Sequence, residues 1–272
     1  MHVGPRDPAQ FVAPDWGRAV TTIGPAPYVA FVPTPLPRTM SLDTATISAL
    51  SHADSSLGRL AGTGQLMSNP HLLLIPFARR EALSSSRIEG TQASLSDVFE
   101  AEAGGRPTED VREVTNYTAA MDHGLARLDT LPVSSRLLCE MHAHLLRGMR
   151  GQERTPGELR RSQNWIGTAG ASLQTAAVFV PPPVDDMVAA LSDWERYAHD
   201  PSPVMPLLVR AALLHYQFET IHPFLDGNGR LGRLFIVLFL VEHGALPFAV
   251  APLVSVLRTS PGQLLPALAA GS

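Results

Sequence analysis

His222-Pro223-Phe224-Leu225-Asp226-Gly227-Asn228-Gly229-Arg230-Leu231-Gly232-Arg233 is the stretch from which the rest of the chain is best read. Glycines at 227 and 229 are free to take positive φ, so Gly227-Asn228-Gly229 can turn successive backbone N–H groups inward, and a following helix adds its unpaired N-terminal donors and positive dipole end. Such a turn cradles an anion. Arg230 and Arg233, spaced i, i+3, share a face of the first helical turn and can grip different phosphates with forked hydrogen bonds. Asp226 offers a hard oxygen ligand suited to Mg²⁺, which needs only one or two protein carboxylates when phosphates and water complete its shell. His222, at the loop entrance, can accept a proton from an attacking hydroxyl near neutral pH. Each piece alone is commonplace as a turn or a solvated face; their conjunction within twelve residues is not.

The flanks read as helices. Upstream, Ser202 is placed as N-cap and Pro203 at the first helical position, with Val204, Leu207, Leu208, Ala211, Leu214 and Phe218 as a core stripe and His215, Tyr216 and Glu219 orienting the loop or serving structure. Downstream, Leu234 to Val241 is apolar all round, as the central helix of a bundle should be, and Gly244 and Pro247 stop it. That run is too short to span a bilayer.

This stretch resembles the signature of Fic-domain proteins, HPFx(D/E)GNGRxxR, and matches it at every fixed position. The resemblance implies an all-α Fic-type bundle with a small β-hairpin flap, and a protein adenylyltransferase that moves AMP from ATP to a Ser, Thr or Tyr hydroxyl of a target protein, a second copy of itself being one candidate. It assigns catalysis to His222, Asn228 and Arg233, nucleotide binding to Gly227, Asn228, Gly229, Arg230 and Arg233, and Mg²⁺ to Asp226, with Phe224 as a core anchor. Removal of AMP at the same site, or ATP-dependent binding without turnover, are the alternative readings. A second motif supports the likeness: Ser85-x-x-x-Glu89-Gly90, within REALSSSRIEGTQASL (80–95), resembles the (S/T)xxxE(G/N) inhibitory motif, implying that Glu89 pairs with Arg233 and autoinhibits the enzyme. The run from PGELRRSQNWIG (156–167) to FVPPP (179–183) is similar to the family's flap. The residues themselves predict two short strands, Asn164 to Gly167 and Val178 to Val180, ended by three prolines. By resemblance Trp165, Ile166, Gly167, Val178, Phe179 and Val180 pair with an extended target segment.

The 272 residues are 45% hydrophobic, enough for a buried core, and the formal net charge of −4 argues against a general nucleic-acid or membrane-surface binder. All 21 basic residues are arginine, which excludes a Walker A loop and a Schiff-base lysine. Cys139 stands alone, so no intrachain disulfide forms, and no secretory pattern is visible; a cytoplasmic protein is expected, with a homo-oligomer left open. Residues 1–40 read as an extended proline-rich arm, 41–105 as the N-terminal helical region with the inhibitory motif, 106–247 as the Fic core and 248–272 as a short tail. Within them, helices are expected from a Ser41 cap to Gly62 or Gly64, from about Pro70 through or after Pro76 to Gly90, from Ser94 to Glu102, from Thr108, from Val133 to Met149 and from Val184 to His199. His142 and His144, two apart on a helix, point in different directions and are not joint metal ligands.

Overall fold

A computed structural model of the chain describes residues 15–23, 27–66, 71–149, 154–167, 173, 177–201 and 204–246. The helices are α1 (Thr44–Leu66), α2 (His71–Ile88), α3 (Leu95–Glu102), α4 (Glu109–Arg127), α5 (Ser135–Leu145), α6 (Val184–Ala198), α7 (Leu207–Ile221) and α8 (Asn228–Glu242). Strands β1 (Gly17–Thr21) and β2 (Val29–Pro33) pair antiparallel, as do β3 (Ile166–Gly167) and β4 (Ala177–Phe179). The expected all-α bundle with a hairpin is present, with one addition: part of the proline-rich arm is itself a β-ribbon. Its second strand is buried because Val29 to Pro33 lies against α6 and α7.

Local chemistry sets several helix ends. Ser94 and Asp97 form a reciprocal capping box on α3, Thr108 caps α4 by accepting from Val111 N–H, and Glu109 and Asp110 lie at its positive end. α1 departs from expectation at both ends. Asp43, not Ser41, accepts from the Thr46 N–H (2.6 Å), and the helix runs through Gly62 and Gly64 to Leu66; glycine costs a helix only about 1 kcal/mol per residue. α2 likewise continues through Pro76. It ends at Ile88, just before a turn at Gly90 whose φ of +106° only glycine adopts cheaply. α7 begins at Leu207 rather than at 203; Ser202 and Pro203 lie outside the described residues.

The core forms around α8, which packs against α2, α4, α5 and α7. Leu231, Leu234, Phe235, Leu238 and Phe239 are fully buried, as are Tyr117, Leu137, Met141, Trp194 and Phe218 facing them. Leu36, Ala82, Leu83 and Val98 join the same cluster, so the N-terminal region and the helices after residue 106 share one core. Among the described residues no helix is long and apolar enough to cross a membrane. Residues 1–14 and 248–272 lie outside the described set.

Candidate active site

The site lies where α7 gives way to α8. His222 ends α7 in the left-handed conformation (φ 49°, ψ 61°), its N–H still donating to Phe218 O at 2.9 Å. A β-carbon makes that conformation costly, and an adjacent polar clamp offsets the cost. Arg160 Nε donates to His222 O at 3.0 Å and Asn164 Nδ2 to the same oxygen at 3.1 Å and to Phe224 O at 2.8 Å. Phe224 is fully buried. Asn228 closes the loop from the other side: its Oδ1 accepts from Phe224 N–H (2.9 Å) and its Nδ2 donates to Phe224 O (2.8 Å).

The His222 ring places Nδ1 3.3 Å from Glu219 O. A carbonyl only accepts, so Nδ1 carries the hydrogen and Nε2 keeps its lone pair. Burial, with the Arg160 guanidinium adding to it, pulls the imidazole down to about 4, so the ring is neutral at physiological pH.

Only Gly227 of the two turn glycines takes positive φ, at 76°, because α8 already begins at Asn228. Gly229 serves close approach instead: a β-carbon there would lie 2.6 Å from Glu89 Oε1 and 3.1 Å from Arg233 Nη1. The buried Asn228 side chain is spent on Phe224, so only its main chain is left for an anion.

The two arginines have different surroundings. Arg230 is 5% exposed, with Glu113 and Asp226 carboxylates each 3.8 Å away. Its Nε and Nη1 have no hydrogen-bond partner among the described residues. Arg233 is engaged: Nε donates to Ser85 Oγ (2.7 Å), and Nη2 to Ser85 O (3.1 Å) and to Glu89 Oε1 (2.6 Å). The Ser85 and Glu89 of the second motif thus meet Arg233, and the turn after α2 lies against the Gly227-Asn228-Gly229 turn. Beside them Glu219 is pushed up to about 7 by burial, and His215 is pulled down to about 4.

Asp226 Oδ1 accepts from the Gly227 N–H at 2.7 Å, and Oδ2 is paired with Arg154. No cluster of three or more His, Cys, Asp or Glu side chains suited to a metal occurs among the described residues. A single, partly exposed carboxylate of this kind could supply one oxygen to a Mg²⁺ ion whose other ligands are phosphates and water, the role read for Asp226 from the sequence. His142 and His144 do face apart. His142 stacks on Phe224 and His144 on His123.

In the flap, Ile166 faces Phe179 across the ladder, and Trp165 and Ile166 remain about 40% exposed. The Val178 side chain lies outside the described residues. Val180 is spoken for by the β-ribbon, its carbonyl accepting from Phe31 N–H at 2.9 Å. Sequence reasoning missed the supports Arg154, Arg160, Asn164 and Glu113. Arg160 and Asn164 stand inside the quoted flap segment, but only the fold shows the carbonyls that they serve.

Residues 47–126 match the family model described as Fic/DOC family N-terminal, and residues 132–240 the one described as Fic/DOC family. The chain belongs to the Fic/DOC family. This Fic chain is 28% identical over 221 residues to protein adenylyltransferase Fic of Drosophila willistoni, covering 78% of this chain and 40% of that one. It is 31% identical over 169 residues to protein adenylyltransferase fic-1 of Caenorhabditis briggsae, covering 59% and 31%. The chain therefore spans less than half the length of these curated relatives. Among solved structures it is similar to a Fic family protein from Desulfovibrio desulfuricans G20, with 25% identity, TM-score 0.62, and 81% of this chain and 64% of that one covered. A segment of Fic-1 from Caenorhabditis elegans shares the fold at 22% identity and TM-score 0.59, over 83% of this chain and 69% of that one.

Proposed function

We propose that this Fic chain is a protein adenylyltransferase that moves AMP from ATP to a hydroxyl side chain of a protein and is held back by Glu89. The observation that carries the reading is Arg230. A buried guanidinium whose Nε and Nη1 make no hydrogen bond among the described residues, set beside a glycine turn and a helix N-terminus, is short of the close acceptors that a polyphosphate supplies. The relatives' names supply the transfer chemistry.

In this reading the polyphosphate lies against Gly227 to Gly229, with Arg230 and Arg233 neutralising its charge. The target hydroxyl oxygen attacks the α-phosphorus, its proton passes to His222 Nε2, and the bond to the bridging oxygen of the β-phosphate breaks to release pyrophosphate. The Glu219 carbonyl keeps Nε2 aimed as the acceptor, and a nearby polyanion stabilises the imidazolium that forms. Asp226 would hold Mg²⁺, which supplies further charge neutralisation on the leaving group. The Trp165 to Gly167 edge of the flap would pair with the target's main chain.

The test uses the Glu89→Gly protein with ATP labelled at either the α- or the γ-phosphate. Protein labelling from the α position alone is expected. Labelling from γ alone makes the protein a kinase, and bound ATP without labelling makes it a binding module. Loss of AMP from a pre-modified protein, seen only with Glu89 present, makes the reverse reaction the function.

A further inference from the structure

His142 is a fully buried polar side chain on α5 that the reaction above does not use. Three contacts converge on its ring. Gly157 N–H donates to Nδ1 at 2.9 Å, Nε2 lies 3.0 Å from Asp226 O, and the ring stacks on Phe224 with centroids 4.0 Å apart and planes 23° apart. Because Nδ1 accepts from an amide, it carries no hydrogen; in the neutral ring Nε2 is then the donor, and it donates to the Asp226 carbonyl. The tautomer is settled by its two main-chain partners.

That grip has a directional consequence. In a trans peptide the C=O and N–H point opposite ways. Drawing the Asp226 carbonyl down to His142 turns the Gly227 N–H away from it, up to the side where Asp226 Oδ1 receives that hydrogen at 2.7 Å. Gly227 has φ 76°, which leaves the peptide before it free to flip unless something holds it. The same ring and Leu145 pack beneath the turn, 3.3 to 3.6 Å from where a Gly227 β-carbon would be. Through Gly157 the ring also ties down the turn that begins at Arg154, whose guanidinium pairs with the Asp226 carboxylate.

We propose that His142 is a positioning residue of the nucleotide site: it locks the Asp226–Gly227 peptide so that the first N–H of the phosphate cradle and the Mg²⁺-binding carboxylate face the same way. The assignment rests on the nucleotide-site reading above. It makes the carbonyl grip, not ring packing, the contact that matters.

Three substitutions separate the contacts. His142→Gln puts an amide donor where Nε2 was and keeps the Asp226 grip; His142→Asn puts an amide where Nδ1 was and keeps only the Gly157 contact; His142→Phe keeps the stack alone. All are compared in the Glu89→Gly background after melting curves establish that each is folded. Two readouts are taken: hydrogen exchange of the Gly227 amide without nucleotide, and calorimetric binding of Mg·ATP. Outer contacts of this kind are typically worth about 10- to 100-fold in metal affinity or activity. The Asn and Phe variants should therefore exchange Gly227 about 10-fold or more faster and bind Mg·ATP about 10- to 100-fold more weakly, with Gln within about threefold of the parent. Equal behaviour of Gln and Asn, or a Phe variant matching the parent, overturns the proposal. The exchange readout needs no nucleotide. If the parent fails to bind ATP, the nucleotide-site reading falls while Gly227 exchange still reports whether His142 holds the peptide.

Discussion

Glu89→Gly removes one carboxylate from one guanidinium, and the structure bounds what that should do. Arg233 Nη2 donates to Glu89 Oε1 at 2.6 Å, with the arginine side chain 11% exposed and the glutamate 39%. A hydrogen bond to a charged group contributes about 1.5 to 3 kcal/mol, and the partial exposure of Glu89 favours the lower end. At about 1.4 kcal/mol per factor of ten, a nucleotide that must displace Glu89 from Arg233 binds roughly 10- to 150-fold more weakly than it would to a free guanidinium. The substitution should return that factor in Mg·ATP affinity, and AMP incorporation should rise with it. Arg233 would not be left adrift, since Ser85 Oγ and O still accept from it at 2.7 and 3.1 Å.

Folding loses the same contact. At the lower end of its range, about 1.5 kcal/mol, the melting temperature should fall by no more than about 6 °C for a chain of this size. The assay is calorimetric Mg·ATP binding alongside α-labelled incorporation, run on the single variant and on Glu89→Gly/Arg233→Ala. In the double variant the gain should vanish, because the residue freed by the first change is deleted by the second. Unchanged affinity and incorporation in Glu89→Gly would refute the inhibitory pairing.

His222→Ala should lower AMP transfer about 10²- to 10⁴-fold in the Glu89→Gly background while leaving Mg·ATP affinity near its parent value; an unchanged turnover number removes His222 from the role of base. Burial depresses His142, His215 and His222 to about 4 each, so the unfolded chain binds more protons than the native one between about pH 4 and 6.5. Their stabilising contribution is full above 6.5 and is lost as pH falls; Glu219, raised to about 7, acts with the opposite sign and is outnumbered. Urea midpoints should accordingly fall from pH 6.5 to 4.5, and a rising midpoint would contradict the burial of these groups. Trp165→Ala, at the exposed flap edge, should slow modification of a protein target more than it weakens ATP binding; equal losses in both would mean a packing role.

What the sequence showed followed the range of the interactions involved. The Gly-Asn-Gly turn and its two arginines stand out because they need a fixed local spacing, the glutamate motif only through its resemblance to the family's, and α3 and α4 because their caps lie within three residues of the helix they start. The ribbon of residues 17–33 was hidden, since its apolar run makes sense only against α6, α7 and the Phe179 ring of the flap. α1 outran its expected glycine stops because two glycines weaken a helix without breaking it. Arg160, Asn164 and His142 were invisible as site residues for one shared reason. Each serves main-chain carbonyls that the fold brings from 58 to 84 residues away, and a carbonyl has no letter in the sequence.

The buried arginine shows why such residues accompany the motif. His222 in a left-handed conformation costs about 1 to 3 kcal/mol, and the loop keeps it only if neighbouring contacts over-determine the backbone. Arg160 does this with one planar group: Nε donates to His222 O at 3.0 Å, Nη2 to Pro182 O at 2.5 Å and Nη1 to Ser162 O at 3.3 Å. Burial draws its guanidinium down to about 10, still well above neutral, so it remains charged while all three of these partners are neutral carbonyls. A lysine has a single ammonium on a flexible stem and could not fix three divergent carbonyls at once. The flap exit at Pro182 and the left-handed residue His222 are therefore registered against the same rigid plane. In the proposed reaction, a target strand paired with the flap and the imidazole that would receive its proton would share one internal reference.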